Sequence, residues 1–114
     1  MNIEILKACG VEYEEGLERF SGSRRLYEKY LKMLLSDPTY EEMRRAACEG
    51  DLQTAFEAGH KMKAFIGNLA IDGFYEKIVT LTNEFRSGIR RDYRPDFDRL
   101  DQEYGSILTA IKTE

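Results

Sequence analysis

The sequence predicts an all-α protein, an up-down antiparallel four-helix bundle with additional short helices at its N-terminal end. Three observations carry that expectation. Apolar residues recur at spacings of three and four along nearly the whole chain, the period of a helix with one buried face. No stretch shows the strict alternation of a half-buried strand. The connections between apolar stripes are short, which makes successive helices run antiparallel. A chain of 114 residues fits one domain, 1–114, around one core.

Each element has a local reason. Residues 2–9 form a short helix capped by Asn2 and stopped by Gly10. Residues 12–20 form a second, with Leu17 and Phe20 on one side. The Ser-Gly-Ser run at 21–23 is a turn, and Ser23 caps the helix over 24–36. That helix carries Leu26, Tyr30 and Leu34 at steps of four, with Tyr27 and Leu31 beside them. Asp37-Pro38 starts the next helix, with Asp37 as cap and Pro38 at the first helical position, where its missing N–H costs nothing. Tyr40, Met43 and Ala47 are its buried stripe. Gly50 ends it, and Asp51 caps a helix over 52–69. The chain turns around Asp72-Gly73. Residues 74–90 follow, with Phe74, Ile78, Leu81 and Phe85 inward. Pro95 opens the last helix, whose stripe is Phe97, Leu100, Tyr104, Ile107, Leu108 and Ile111.

Composition excludes several functions. Seventeen basic and 21 acidic residues give a net charge of −4, against a dedicated nucleic-acid surface, which needs a basic excess. No apolar run reaches the roughly 18 residues of a membrane span, and the N-terminus lacks the apolar core of a secretory signal. The cytoplasm is the expected location. Cys9 and Cys48 lie far apart without CxxC or Cys/His spacing, and read as two reduced, partly buried thiols rather than zinc ligands. No phosphate-binding loop of the P-loop or kinase type exists.

His60 is the only histidine. With Leu52 as zero and about 100° per residue, Ala55, Gly59, Met62, Ile66 and Leu69 form the inward stripe of its helix. Lys63, Phe56, Gly67, His60 and Ala64 follow in that order around one shoulder, from about +20° to about +120°. Lys61 points outward. A histidine at the edge of a stripe is most often an ordinary boundary residue. A metal ligand needs several converging partners, and none is spaced for it. The third reading is a reactive imidazole, with Lys63 one turn away. A glycine inside a helix costs about 1 kcal/mol relative to alanine, so Gly59 and Gly67 imply close approaches. Gly59 points inward and lets a neighbouring helix pack tightly. Gly67 does not, and reads as clearance for an approaching surface.

The run Gly59-His60-Lys61-Met62-Lys63-Ala64-Phe65-Ile66-Gly67-Asn68-Leu69-Ala70 resembles the signature of histidine-containing phosphotransfer (HPt) domains, in effect A-H-x-L-K-G, three residues, then N-L-G. The histidine, the lysine three on, the small residue four on, the glycine seven on and the Asn-Leu pair fall in register. Upstream, "GVEYEEGLERFSGSRRLYEKYLKML" and "EGDLQTAFEAGH" are similar to the family's lead-in, so that the likeness covers most of residues 10–86. Three positions depart: Gly59 stands for the usual alanine, and Ala64 and Ala70 for the usual glycines.

The resemblance implies the bundle fold and a phosphocarrier with no kinase activity of its own. His60 would accept a phosphoryl group from a receiver-domain phosphoaspartate and pass it to another receiver aspartate in a two-component phosphorelay. Lys63 would stabilise the phosphate charge, and Phe56, Lys61, Ala64 and Gly67 would meet the partner. The implied partners are response-regulator receiver domains and a hybrid histidine kinase, not nucleic acid or membrane. The chain would bind no cofactor or metal itself, because the receiver brings the Mg²⁺. A single closed bundle predicts a monomer. The alternative is a docking module that binds receivers or kinases without being phosphorylated, for which the Ala64 methyl is the motive.

Overall fold

The computed structural model describes residues 1–113. In chain order it contains α1 (Ile3–Ala8), α2 (Tyr13–Arg19), α3 (Arg24–Met33) with a 3₁₀ turn at Leu34–Ser36, α4 (Thr39–Glu49), α5 (Leu52–Asn68), α6 (Asp72–Arg86) and α7 (Arg94–Lys112). The protein is all-α, with no strand among the described residues. Helices α4 to α7 make the four-helix bundle, and α1 to α3 pack on it.

The helix starts follow their caps. Asn2 accepts from the Ile5 N–H at 3.1 Å, Ser23 from Leu26 at 3.2 Å and Asp51 from Thr54 at 3.2 Å, each satisfying a donor that the first turn leaves unpaired. Gly50 ends α4 at φ +82°, a left-handed conformation that glycine adopts without strain.

Side-chain size sets the helix spacing. Buried Ala46 and Ala47 of α4 and Ala55 and Ala58 of α5 let those two backbones come close. Gly59 does the same toward α6. Helix α7 is held against larger rings. Tyr104 lies 4.4 Å from Tyr40 of α4 and 5.3 Å from Phe74 of α6, centroid to centroid. The pairings run antiparallel. Lys77 of α6 meets Glu103 of α7 at 2.6 Å, while Arg91 joins Glu84 near the end of α6 to Asp96 near the start of α7, at 2.9 and 2.7 Å. On the other side the Tyr40 hydroxyl donates to Asp101 at 2.6 Å, and Arg44, one turn on, stands 3.8 Å from the same carboxylate.

The N-terminal helices fasten the far end of α5, whose last carbonyls have no partner within the helix. The Tyr27 hydroxyl donates to the Leu69 carbonyl at 2.7 Å, the Glu12 N–H to the Ala70 carbonyl at 2.9 Å, and the Arg19 guanidinium to the Gly67 carbonyl. Tyr27 fits because Gly16 of α2 has no side chain. A Cβ there would overlap the Tyr27 ring.

Five sequence expectations change. On α3 the buried residues are Tyr27 and Leu31, with Leu34 following in the 3₁₀ turn, while Leu26 and Tyr30 are exposed. Both faces are apolar, so periodicity alone could not choose. The hydrogen bond of Tyr27 and the gap over Gly16 turn its face inward. The bend before α6 is made by Ala70, at φ +59°, and Asp72 and Gly73 already belong to the helix. That helix stops at Arg86 rather than near residue 90, because Gly88 turns left-handed at φ +71°. Helix α4 starts one residue later than expected, at Thr39, with the Asp37 carboxylate accepting from the Thr39 N–H at 2.7 Å. Both cysteines are free, as expected, but Cys48 is exposed rather than partly buried.

Candidate functional site

Helix α5 is the central element, packed closely on α4 and α6 along its inward face. Ala55, Met62, Ile66 and Leu69 are buried there, as the sequence predicts, and so is Gly59. The opposite face carries His60, Lys61, Ala64 and Asn68, all exposed. A side chain on this face is therefore presented by a backbone held at its start by Asp51, at its end by the N-terminal helices, and on two flanks by neighbours.

His60 sits in the middle of that helix with its imidazole open to solvent. Its aromatic neighbour is Phe56, one turn earlier and half-buried, with ring centroids 6.1 Å apart. Lys63, one turn on, is half-buried and has no ion-pair partner among the described residues. A cation left unpaired beside an exposed nucleophile can meet an incoming anion without first giving up a carboxylate. Ala64 exposes its methyl beside both. No three His, Cys, Asp or Glu side chains among the described residues cluster closely enough to hold a metal ion.

Next to Lys63 lies a depression of about 340 Å³ lined by Arg19, Lys63, Ala64, Gly67, Asn68, Asp72 and Tyr75. Its charges are mostly paired. Arg19 is bound to Glu15, and Glu15 faces the Asp72 carboxyl, which pushes the Glu15 pKa up. Lys63 is the cation in the depression that remains free of a carboxylate.

Gly67 differs from the sequence reading. A Cβ there would lie 3.1 Å from the Tyr75 ring, so the missing side chain is used by α6 within the molecule. Packing explains Gly67, and an approaching surface would meet Tyr75 over it. Gly59 matches its reading, since a Cβ there would press on the Thr82 side chain. Ala70, buried at the left-handed bend, stands where the backbone itself favours glycine. The sequence reading brought His60, Lys63, Phe56 and Ala64 to one face, and the structure places them together. It missed Arg19 and Tyr75. Arg19 stood inside the Leu17-Glu18-Arg19-Phe20 run, taken only as a family marker. Nothing in the sequence sets Tyr75 apart from its neighbours on α6.

Compared with known proteins, the chain matches no family model, no curated protein and no solved structure.

Proposed function

We propose that this chain is a histidine phosphotransfer protein of a two-component phosphorelay. The observation that supports this most is the exposed His60 at mid-helix, with Lys63 unpaired one turn away and the small Ala64 beside them. A lone pair of the neutral imidazole attacks the phosphorus of a receiver phosphoaspartate. The N–P bond forms as the P–O bond breaks, the aspartate leaves as carboxylate, and the ring keeps its proton on the other nitrogen. Lys63 offsets the phosphate charge now held on this chain. Transfer to a second receiver runs the same step backwards. The receiver supplies the Mg²⁺ and the remaining charge stabilisation, so the histidine protein needs only a nucleophile, a cation and an open approach. Receiver domains and a hybrid kinase are the partners of this reading, and it assigns Phe56, Lys61 and Ala64 to their contact surface.

The test is incubation with radiolabelled phosphoreceivers of the same organism. Acid-labile label is expected on the wild type and none on His60→Gln. Equal labelling of His60→Gln, or a wild type that no receiver labels, sinks the proposal. Ala64 favours a second reading, a docking module that is never phosphorylated. Receiver binding unchanged in His60→Gln, with no acid-labile phosphate on the wild type, would select it.

A further inference from the structure

Helix α7 carries a glycine that nothing inside the molecule explains. Gly16, Gly59 and Gly67 each make room for a neighbouring side chain, and Gly10, Gly22, Gly50 and Gly88 take left-handed backbone. Gly73 lies in the first turn of α6. Gly105 stands in the interior of a 19-residue helix, where glycine lowers helix stability relative to alanine. It is exposed, and a Cβ built on it would meet nothing within 4 Å.

The charges around it are symmetric. Asp98 and Lys112 lie seven residues to either side of Gly105, which places each about 10.5 Å along the axis and within about 20° of Gly105 in rotation. Both are exposed, and neither has an ion-pair partner among the described residues. Arg94, one turn before Asp98, is taken by Asp92 at 2.9 Å. Asp101, one turn before Gly105, is taken by the Tyr40 hydroxyl at 2.6 Å. Gln102 and Thr109 complete the exposed face.

A second α7 laid antiparallel across the first at Gly105 brings Asp98 of each copy level with Lys112 of the other. Two ion pairs then flank the crossing, and the missing side chain at its centre lets the backbones come close. A parallel arrangement would set Asp98 against Asp98 and Lys112 against Lys112. The face is therefore complementary to its own twofold image, as an interface between identical chains must be.

We propose that two copies of this chain associate through α7, antiparallel and centred on Gly105, with Asp98 of each copy paired to Lys112 of the other. Polar side chains dominate this face, so the dimer is of the weak, reversible kind. The proposal departs from the monomer that a closed bundle predicts, and it does not depend on His60. Helix α7 packs on α4 and α6 through Tyr40 and Phe74, the helices that also flank α5, so it lies across the bundle from α5. Such a dimer leaves both His60 imidazoles open.

The experiment is sedimentation equilibrium of the full chain over a range of concentrations, which reads the dimer dissociation constant. The wild type is expected to show a monomer–dimer equilibrium. Asp98→Lys and Lys112→Asp should each weaken it about tenfold, equivalent to about 1.4 kcal/mol, because each sets like charges together. The double reversal, Asp98→Lys with Lys112→Asp, should restore it, which damage to the fold could not do. Gly105→Leu should weaken it at least as much as the single reversals, while leucine favours the helix. Circular dichroism checks that every variant folds, and His60→Gln should associate as the wild type does. The proposal is overturned by a wild type that stays monomeric at every concentration, by a dimer that Gly105→Leu leaves unchanged, or by a double reversal no tighter than the single ones.

Discussion

Gly59 of α5 and Thr82 of α6 meet with no room for a methyl group between them. A Cβ on Gly59 would lie 3.3 Å from the Thr82 Cβ and closer still to its hydroxyl, which itself donates to the Ile78 carbonyl at 2.7 Å. The contact lies one residue from His60, so it sets how deeply that part of α5 seats.

Gly59→Ala should therefore destabilise the protein even though alanine favours a helix by about 1 kcal/mol. Overpacking of this kind costs about 1–3 kcal/mol. Denaturant unfolding of Gly59→Ala, Thr82→Ala and the double variant checks it. The double variant should be more stable than Gly59→Ala alone, and strict additivity would rule the contact out as the cause.

Two buried tyrosines should respond in opposite ways to loss of their hydroxyls. Tyr27→Phe strands the Leu69 carbonyl, and a lost buried hydrogen bond of this kind costs about 1–3 kcal/mol. The Tyr104 hydroxyl has no hydrogen-bond partner among the described residues, and burial pushes its pKa up to about 12. Tyr104→Phe should leave stability unchanged or raise it by about 1 kcal/mol. Thermal unfolding of the two variants side by side separates the cases.

Stability should fall on the alkaline side. Burial raises the pKa of Tyr27, Tyr40 and Tyr104 above the ordinary value of 10.0, and for Tyr40 the nearby Asp101 carboxylate adds to it. The unfolded chain then loses these protons at a lower pH than the folded one. Their contribution is complete below about pH 10 and is lost as pH rises through the folded values. On the acid side, the hydrogen bonds from Thr54 hold the Asp51 carboxyl below its ordinary range. That contribution is present above the ordinary value and disappears as pH falls through the lowered one. Unfolding midpoints against pH should show both slopes, and Asp51→Asn should flatten the acid one.

Ala64→Gly should speed phosphotransfer if the methyl narrows the approach to His60, while costing about 1 kcal/mol of helix stability. Stopped-time labelling with a single receiver measures the rate, and an unchanged rate would show that the methyl is tolerated.

Much of this arrangement was legible from residue spacing, because long helices with one buried face leave a strong period. The stripe of α5 and the place of His60 outside it, on the shoulder, followed from rotation alone. The face of α3 did not, since Leu26 and Tyr30 are as apolar as Tyr27 and Leu31, and the choice is made by a hydrogen bond to a residue 42 positions away. Gly67 misled for a similar reason, as the ring that covers it belongs to another helix. The bend at Ala70 was hidden because alanine is not a turn residue and Asp72-Gly73 is a good one.

The clasp at the end of α5 has a consequence for how the chain is made. Its donors, Glu12, Arg19 and Tyr27, all precede the carbonyls of Gly67, Leu69 and Ala70. Synthesis runs from the N-terminus, so the groups that close this corner have already left the ribosome when the corner emerges. The bend can be sealed as it appears, before α6 and α7 have emerged to bury it.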